Sequence, residues 1–96
     1  MLARVTTWEG GSADGIRAAG ADIGARMRTG PPEGVTSSGF TMLIDPDGGR
    51  SLMIGLFESE DDIRASEPAL EAMTPPEGIG RRTATDVYEV VGEVRA

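Results

Sequence analysis

The sequence predicts an α+β domain of order βαββαβ, with an antiparallel sheet carrying two helices on one face. Three observations carry this. The first is residues 39–60, where two apolar runs flank the polar turn Asp45-Pro46-Asp47-Gly48-Gly49. Pro46 presets φ near about −65°, and glycine takes positive φ without a Cβ penalty, so this is turn chemistry between two strands. The second is a pair of stretches, each opened by a serine, with apolar residues at helical spacing. The third is a β-prone segment at each end of the chain.

Taken in order, residues 2–8 form the first strand. Leu2, Arg4, Thr6 and Trp8 point one way, and Ala3, Val5 and Thr7 the other, so neither face is cleanly polar. Ser12 is placed to cap a helix, with Asp14 in the first turn where the helix dipole favours it. Ile16, Ala19, Gly20, Ile23 and Met27 then make one apolar stripe, and Asp22 and Arg26 stand four apart as an ion pair. Gly15, Gly20 and Gly24 each cost up to about 1 kcal/mol relative to alanine. The helix must therefore lean on packing, and Gly20 on the stripe suggests close approach to the sheet. Gly30-Pro31-Pro32-Glu33-Gly34 ends it.

A strand is expected over residues 35–44, paired through the turn with 51–58. Phe40, Met42 and Ile44 share a face, as do Leu52, Ile54 and Leu56, while Met53, Gly55 and Phe57 take the other. Ser59 opens the second helix in a capping-box-like pattern with Asp62. Ile63, Ser66, Leu70 and Met73 follow at helical spacing. Pro68 lacks an N–H and clashes with the preceding turn, so two short pieces breaking near Glu67 are expected. Residues 74–80 form a second Pro/Gly loop, 83–91 the last strand, and 92–96 a tail. The order βαββαβ is that of the ferredoxin-like split βαβ arrangement. Both faces of the central strands are apolar, yet the helices cover only one. A second copy of the same sheet would cover the other, which predicts a homodimer packed face to face.

Ninety-six residues make a single domain, 1–96, able to bury about 60–65% of its unfolded surface. The longest apolar run, residues 52–57, is far short of the roughly 18 that span a bilayer, and the N-terminus has no signal-peptide pattern. A soluble cytoplasmic protein is expected. The net charge of −7 argues against nucleic acid and against an anionic membrane surface. The chain has no Cys, His, Lys, Asn or Gln. That excludes disulfides, thiol nucleophiles, cysteine zinc sites, imidazole haem ligation, a Ser-His-Asp triad, a Schiff base and a P-loop lysine. An all-oxygen metal site stays open to such a chain, but no acidic cluster has EF-hand spacing; no metal ligand is singled out and no cofactor is expected.

Several segments resemble the dimeric α+β barrel superfamily, specifically its small antibiotic-biosynthesis-monooxygenase-like proteins. They are Arg4-Val5-Thr6-Thr7-Trp8-Glu9-Gly10, Gly39-Phe40 with Leu43-Ile44-Asp45, Gly49-Arg50-Ser51, Leu56-Phe57-Glu58-Ser59-Glu60 and Tyr88-Glu89-Val90. The resemblance implies a barrel dimer with a ligand cavity between helices and sheet in each protomer. Some members are cofactor-independent monooxygenases of quinol-like aromatics. Others degrade haem with an Asn, a Trp and a His, and without Asn or His this chain carries over none of that set. Two functions stay open: a cofactor-independent oxygenase of an aromatic substrate, or a non-catalytic dimeric module for an apolar ligand or a partner protein.

The candidate catalytic residues are Trp8, Tyr88 and Arg4. Trp8 either lines a cavity or plugs the end of the core. Tyr88 either hydrogen-bonds a substrate or sits amphipathically at a rim. Arg4, on a sheet covered on both sides, either clamps an anion or pairs with Asp86 or Glu89. Glu67 falls near the Ile63/Leu70 stripe, but a break at Pro68 would turn it to solvent. Arg81 and Arg82 either meet an anion or are solvated. Met27, Met42, Met53 and Met73 either line an adaptable pocket or fill the core.

Overall fold

The computed structural model describes residues 1–94. Six elements follow in order: β1 Leu2–Gly10, α1 Ala13–Met27, β2 Gly39–Asp45, β3 Arg50–Phe57, α2 Glu60–Glu71 and β4 Gly80–Glu89. The strands form one sheet in the order β2-β3-β1-β4, antiparallel at every junction. This α+β architecture is compatible with a ferredoxin-like fold. Among the described residues no helix is long and apolar enough to cross a membrane.

The β2–β3 hairpin forms about its turn as the sequence predicts. Asp45 accepts a hydrogen bond from the Gly48 N–H (3.1 Å) and another from Arg50 (3.3 Å). Only Gly49 uses positive φ, +70°. Gly48 serves differently: a Cβ there would collide with the Asp45 carboxylate. The strand expected over 35–44 begins only at Gly39. Pro31, Pro32 and Gly34, with φ +83°, hold the chain off the sheet until Ser38 donates to the Leu56 carbonyl at 2.8 Å. Val35 is instead a buried loop residue, packed with Phe57 and Ile63. The last strand starts three residues earlier than expected and ends at Glu89. Of the expected tail, residues 92–94 carry no helix or strand, and 95–96 lie outside the described residues.

Ser12 caps α1 by accepting from the Gly15 N–H (3.0 Å), and Ser59 caps α2 by accepting from the Asp62 N–H (3.2 Å). The Asp22–Arg26 pair forms at 3.0 Å. Two expectations about the helices fail. A Cβ on Gly20 would meet Ile44 at 3.5 Å, an ordinary contact, whereas a Cβ on Gly15 would come within 2.7 Å of the Gly78 Cα. Close approach is therefore to the second Pro/Gly loop and not to the sheet. Nor does α2 break near Glu67: it runs unbroken through Pro68. Pro68 is exposed and sits one turn from the helix end, where Ala72 N–H still closes onto the Pro68 carbonyl at 3.1 Å. Buried Ile63 and Ser66 anchor the helix upstream, so one missing hydrogen bond near its end does not divide it.

The core lies between sheet and helices. Ile16 and Phe57 are fully buried, Phe40 meets Phe57 edge to face at 6.3 Å, and Val35 and Ile63 pack with Phe57. The opposite sheet face carries Val5, Leu43, Leu52, Ile54, Leu56 and Tyr88, and none of these is buried. Leu43 and Tyr88 are 47% and 56% exposed.

A candidate ligand cleft between sheet and helices

Strand pairing sets out the helix-side floor. Trp8 stands opposite Ser51, Thr6 opposite Met53, and Arg4 opposite Gly55. Across β3, Met42 stands opposite Met53, and Phe40 opposite Gly55. A residue at Gly55 with a Cβ would press on Phe40 at 2.8 Å and Phe57 at 3.0 Å, so glycine there leaves room for both rings. Above this floor lies an open-sided cleft of about 1320 Å³. Ile23 and Met27 of α1 form one wall, and Leu70 and Met73, at and beyond the end of α2, form the other. Met27, Met42, Met53 and Met73 all line this cleft, and none belongs to the buried core.

The two lips of the cleft repeat one motif. Pro31-Pro32-Glu33-Gly34-Val35 follows α1, and Pro75-Pro76-Glu77-Gly78-Ile79 follows α2. Gly34 and Gly78 have φ of +83° and +84°, and Val35 and Ile79 are both buried. In each, left-handed glycine turns the chain so that the next aliphatic side chain enters the core. Each lip packs on the other half's helix: Gly34 beside Ala69 of α2, Gly78 against Gly15 of α1.

Arg4 is 7% exposed, and four of its five guanidinium N–H donors are engaged. Nε donates to Glu67 at 2.8 Å, Nη1 to the Thr6 hydroxyl at 3.1 Å, and Nη2 to Glu67 and Glu71 at 3.3 Å each. The partners expected from the sequence were Asp86 and Glu89. Asp86 pairs with Val5 and so faces the other side, while Glu89 stands opposite Leu2 at the far end of the ladder. Because α2 is continuous, its helical phase carries Glu67 and Glu71 inward over β1, so Glu67 is not the solvated residue a break would have made it.

Arg82 reaches the same cluster through an irregularity. Thr7 pairs with Ala84 but Trp8 pairs with Arg82, so Thr83 is an extra residue in β4. The bulge turns Arg82 onto the face of Trp8, where it donates to both Glu71 oxygens at 2.8 and 2.9 Å. The hydrogen bond from Arg82, then the charges of Arg82 and Arg4, hold the Glu71 carboxyl below its ordinary value against a push from desolvation. The same hydrogen bond raises Arg82. The arginines lining the cleft (Arg4, Arg26, Arg82) are matched by as many carboxylates (Asp22, Glu33, Glu71), so the lining carries no net charge.

Of the three sequence candidates, Trp8 and Arg4 share the cleft and Tyr88 does not. Tyr88 stands opposite Ala3 on the outer face. Sequence reasoning passed over Thr6, Ser51 and Glu71. The alternation of β3 already put Ser51 on the face of Met53 and Phe57, and a helix unbroken at Pro68 would have put Glu71 beside Glu67. The Ser37 and Ser51 hydroxyls are buried without a hydrogen-bond partner. Among the described residues no group of three or more His, Cys, Asp or Glu could hold a metal ion. No family model, characterised protein or solved structure matches the chain.

Proposed function

We propose that the chain is a binding module for a small, mainly apolar molecule, seated in the cleft between sheet and helices. The observation that carries this is the cleft itself: about 1320 Å³, floored by Trp8, Phe40, Met42 and Met53 and walled by Met27 and Met73, with ion-paired and hydroxyl side chains among them. Apolar walls with sparse convergent polar groups are the ordinary make-up of a small-molecule site. The methionines add a surface that adapts to shape. The module is a homodimer, a dimeric α+β barrel joined through the outer sheet faces. The unburied Leu43, Leu52, Ile54, Leu56 and Tyr88 supply the apolar patch that such an interface needs.

Binding without catalysis is the better reading, because the charged groups at the floor are committed to one another. Arg4 spends four of its five N–H donors on Glu67, Glu71 and Thr6, with its charge already matched by Glu67, and the lowered Glu71 is shifted the wrong way for a base at neutral pH. The second reading, a cofactor-independent monooxygenase of a small quinol-like aromatic, draws on Trp8 lining the cleft opposite Ser51. Native mass spectrometry of the purified protein tests the proposal. A dimer carrying an extra small-molecule mass is the expected result. A monomer would overturn the dimer, and a bare dimer that takes up no aromatic probe would overturn the ligand site. Oxygen uptake on adding a quinol without a cofactor would move the assignment to the second reading.

A further inference from the structure

We infer that the hairpin end of the cleft is a polar subsite, in which Ser51 binds one uncharged hydroxyl or carbonyl group of the ligand. This rests on the cleft being a ligand site and adds which residue reads the ligand and what chemistry it reads. Ser51 is 2% exposed, and its hydroxyl has no hydrogen-bond partner. A buried hydroxyl without a partner costs free energy that alanine would not, so its presence calls for an occupant or an explanation. The β3 alternation puts Ser51 on the helix-side face, directly across from Trp8, and both residues line the cleft. Trp8 gives that end an aromatic wall, and a serine hydroxyl both donates and accepts.

The charge of the group follows from the surroundings. The arginines and carboxylates of the lining cancel, and each of those arginines is already ion-paired: Arg4 with Glu67 and Glu71, Arg82 with Glu71 and Arg26 with Asp22. A charged ligand group there would lose water and gain no counter-ion. A neutral hydroxyl or carbonyl loses less and recovers it from Ser51.

The test is calorimetric titration of the full chain and its Ser51→Ala variant with three probes: naphthalene, alpha-naphthol and alpha-naphthoate. One neutral hydrogen bond changes affinity by about 3- to 10-fold. The parent should bind naphthol more tightly than naphthalene by that factor and naphthoate more weakly than either. Ser51→Ala should erase the naphthol advantage, leave naphthalene unchanged, and keep or raise the melting temperature. Equal binding of naphthol and naphthalene by the parent would overturn the subsite while leaving the apolar cleft standing, and so would an unchanged naphthol affinity in Ser51→Ala. Naphthoate binding as tightly as naphthol would overturn the neutral character. Failure of all three probes to bind would overturn the ligand cleft together with the subsite.

Discussion

The two Pro-Pro-Glu-Gly lips have the same local chemistry and different freedom. Both use a glycine near φ +84° to send Val35 or Ile79 inward. The lip after α2 is jammed: Gly78 lies against Gly15, its carbonyl accepts from the Ser12 N–H at 3.1 Å, and β4 begins two residues later. The lip after α1 is looser. A Cβ on Gly34 would meet only the Ala69 methyl at 3.2 Å, and four residues separate Gly34 from β2, one tied by Thr36 N–H to Ser66 at 2.9 Å. A turn motif therefore sets the backbone, while the neighbours set how much change it tolerates.

The sharpest way to break the comparison is a pair of matched substitutions. Gly78→Ala combines a left-handed alanine with a collision at 2.7 Å against the Gly15 Cα, and should cost about 3 kcal/mol or more in urea unfolding. Gly34→Ala carries the left-handed cost alone, about 1–2 kcal/mol. Equal losses would mean that the close Gly78–Gly15 packing contributes nothing.

Between these two falls Arg4→Met. It leaves Glu67 and Glu71 without their buried partner and should cost about 2 kcal/mol. It should also loosen the lip after α2 selectively, read as faster amide exchange at residues 72–79 than at 29–38. Uniform loosening of both lips would refute the idea that Arg4 ties α2 to the sheet.

Gly24→Ala sharpens the contrast with Gly15. A Cβ on Gly24 meets nothing within 4 Å, so helix propensity acts alone and stability should rise by about 0.5–1 kcal/mol. Gly15→Ala on the same helix should destabilise, because its Cβ would strike Gly78.

The smallest effect belongs to the exposed Glu71–Arg82 pair. Glu71 is lowered when folded, so its contribution is present above its ordinary value of 4.5 and is lost as pH falls through the lower folded value. The stability gap between the parent and Glu71→Gln should be constant near neutrality and close on acidification below about pH 4.5. A gap that grew on acidification would reverse the sign of the shift.

What the sequence by itself determined is local. Ser12 and Ser59 start helices because a side-chain oxygen satisfies an N–H in the first turn, whatever surrounds it. Asp45-Pro46-Asp47-Gly48-Gly49 turns because its own atoms require it. The two-faced apolar pattern of β3 likewise leaves one sheet face uncovered in the single chain. The cleft was legible only in part: Arg4 and Trp8 share a strand face in any β reading, but Tyr88 could not be placed without the β1–β4 register. Tertiary structure decided the rest, through contacts between residues far apart in sequence. Proline in α2 is tolerated because Ile63 is packed with Phe57 of the sheet and Ser66 is tied to the Thr36 N–H of the loop before β2, and that continuity delivers Glu67 and Glu71 to Arg4. One extra residue at Thr83 turns Arg82 to the cleft, since strand faces alternate and a single insertion exchanges them.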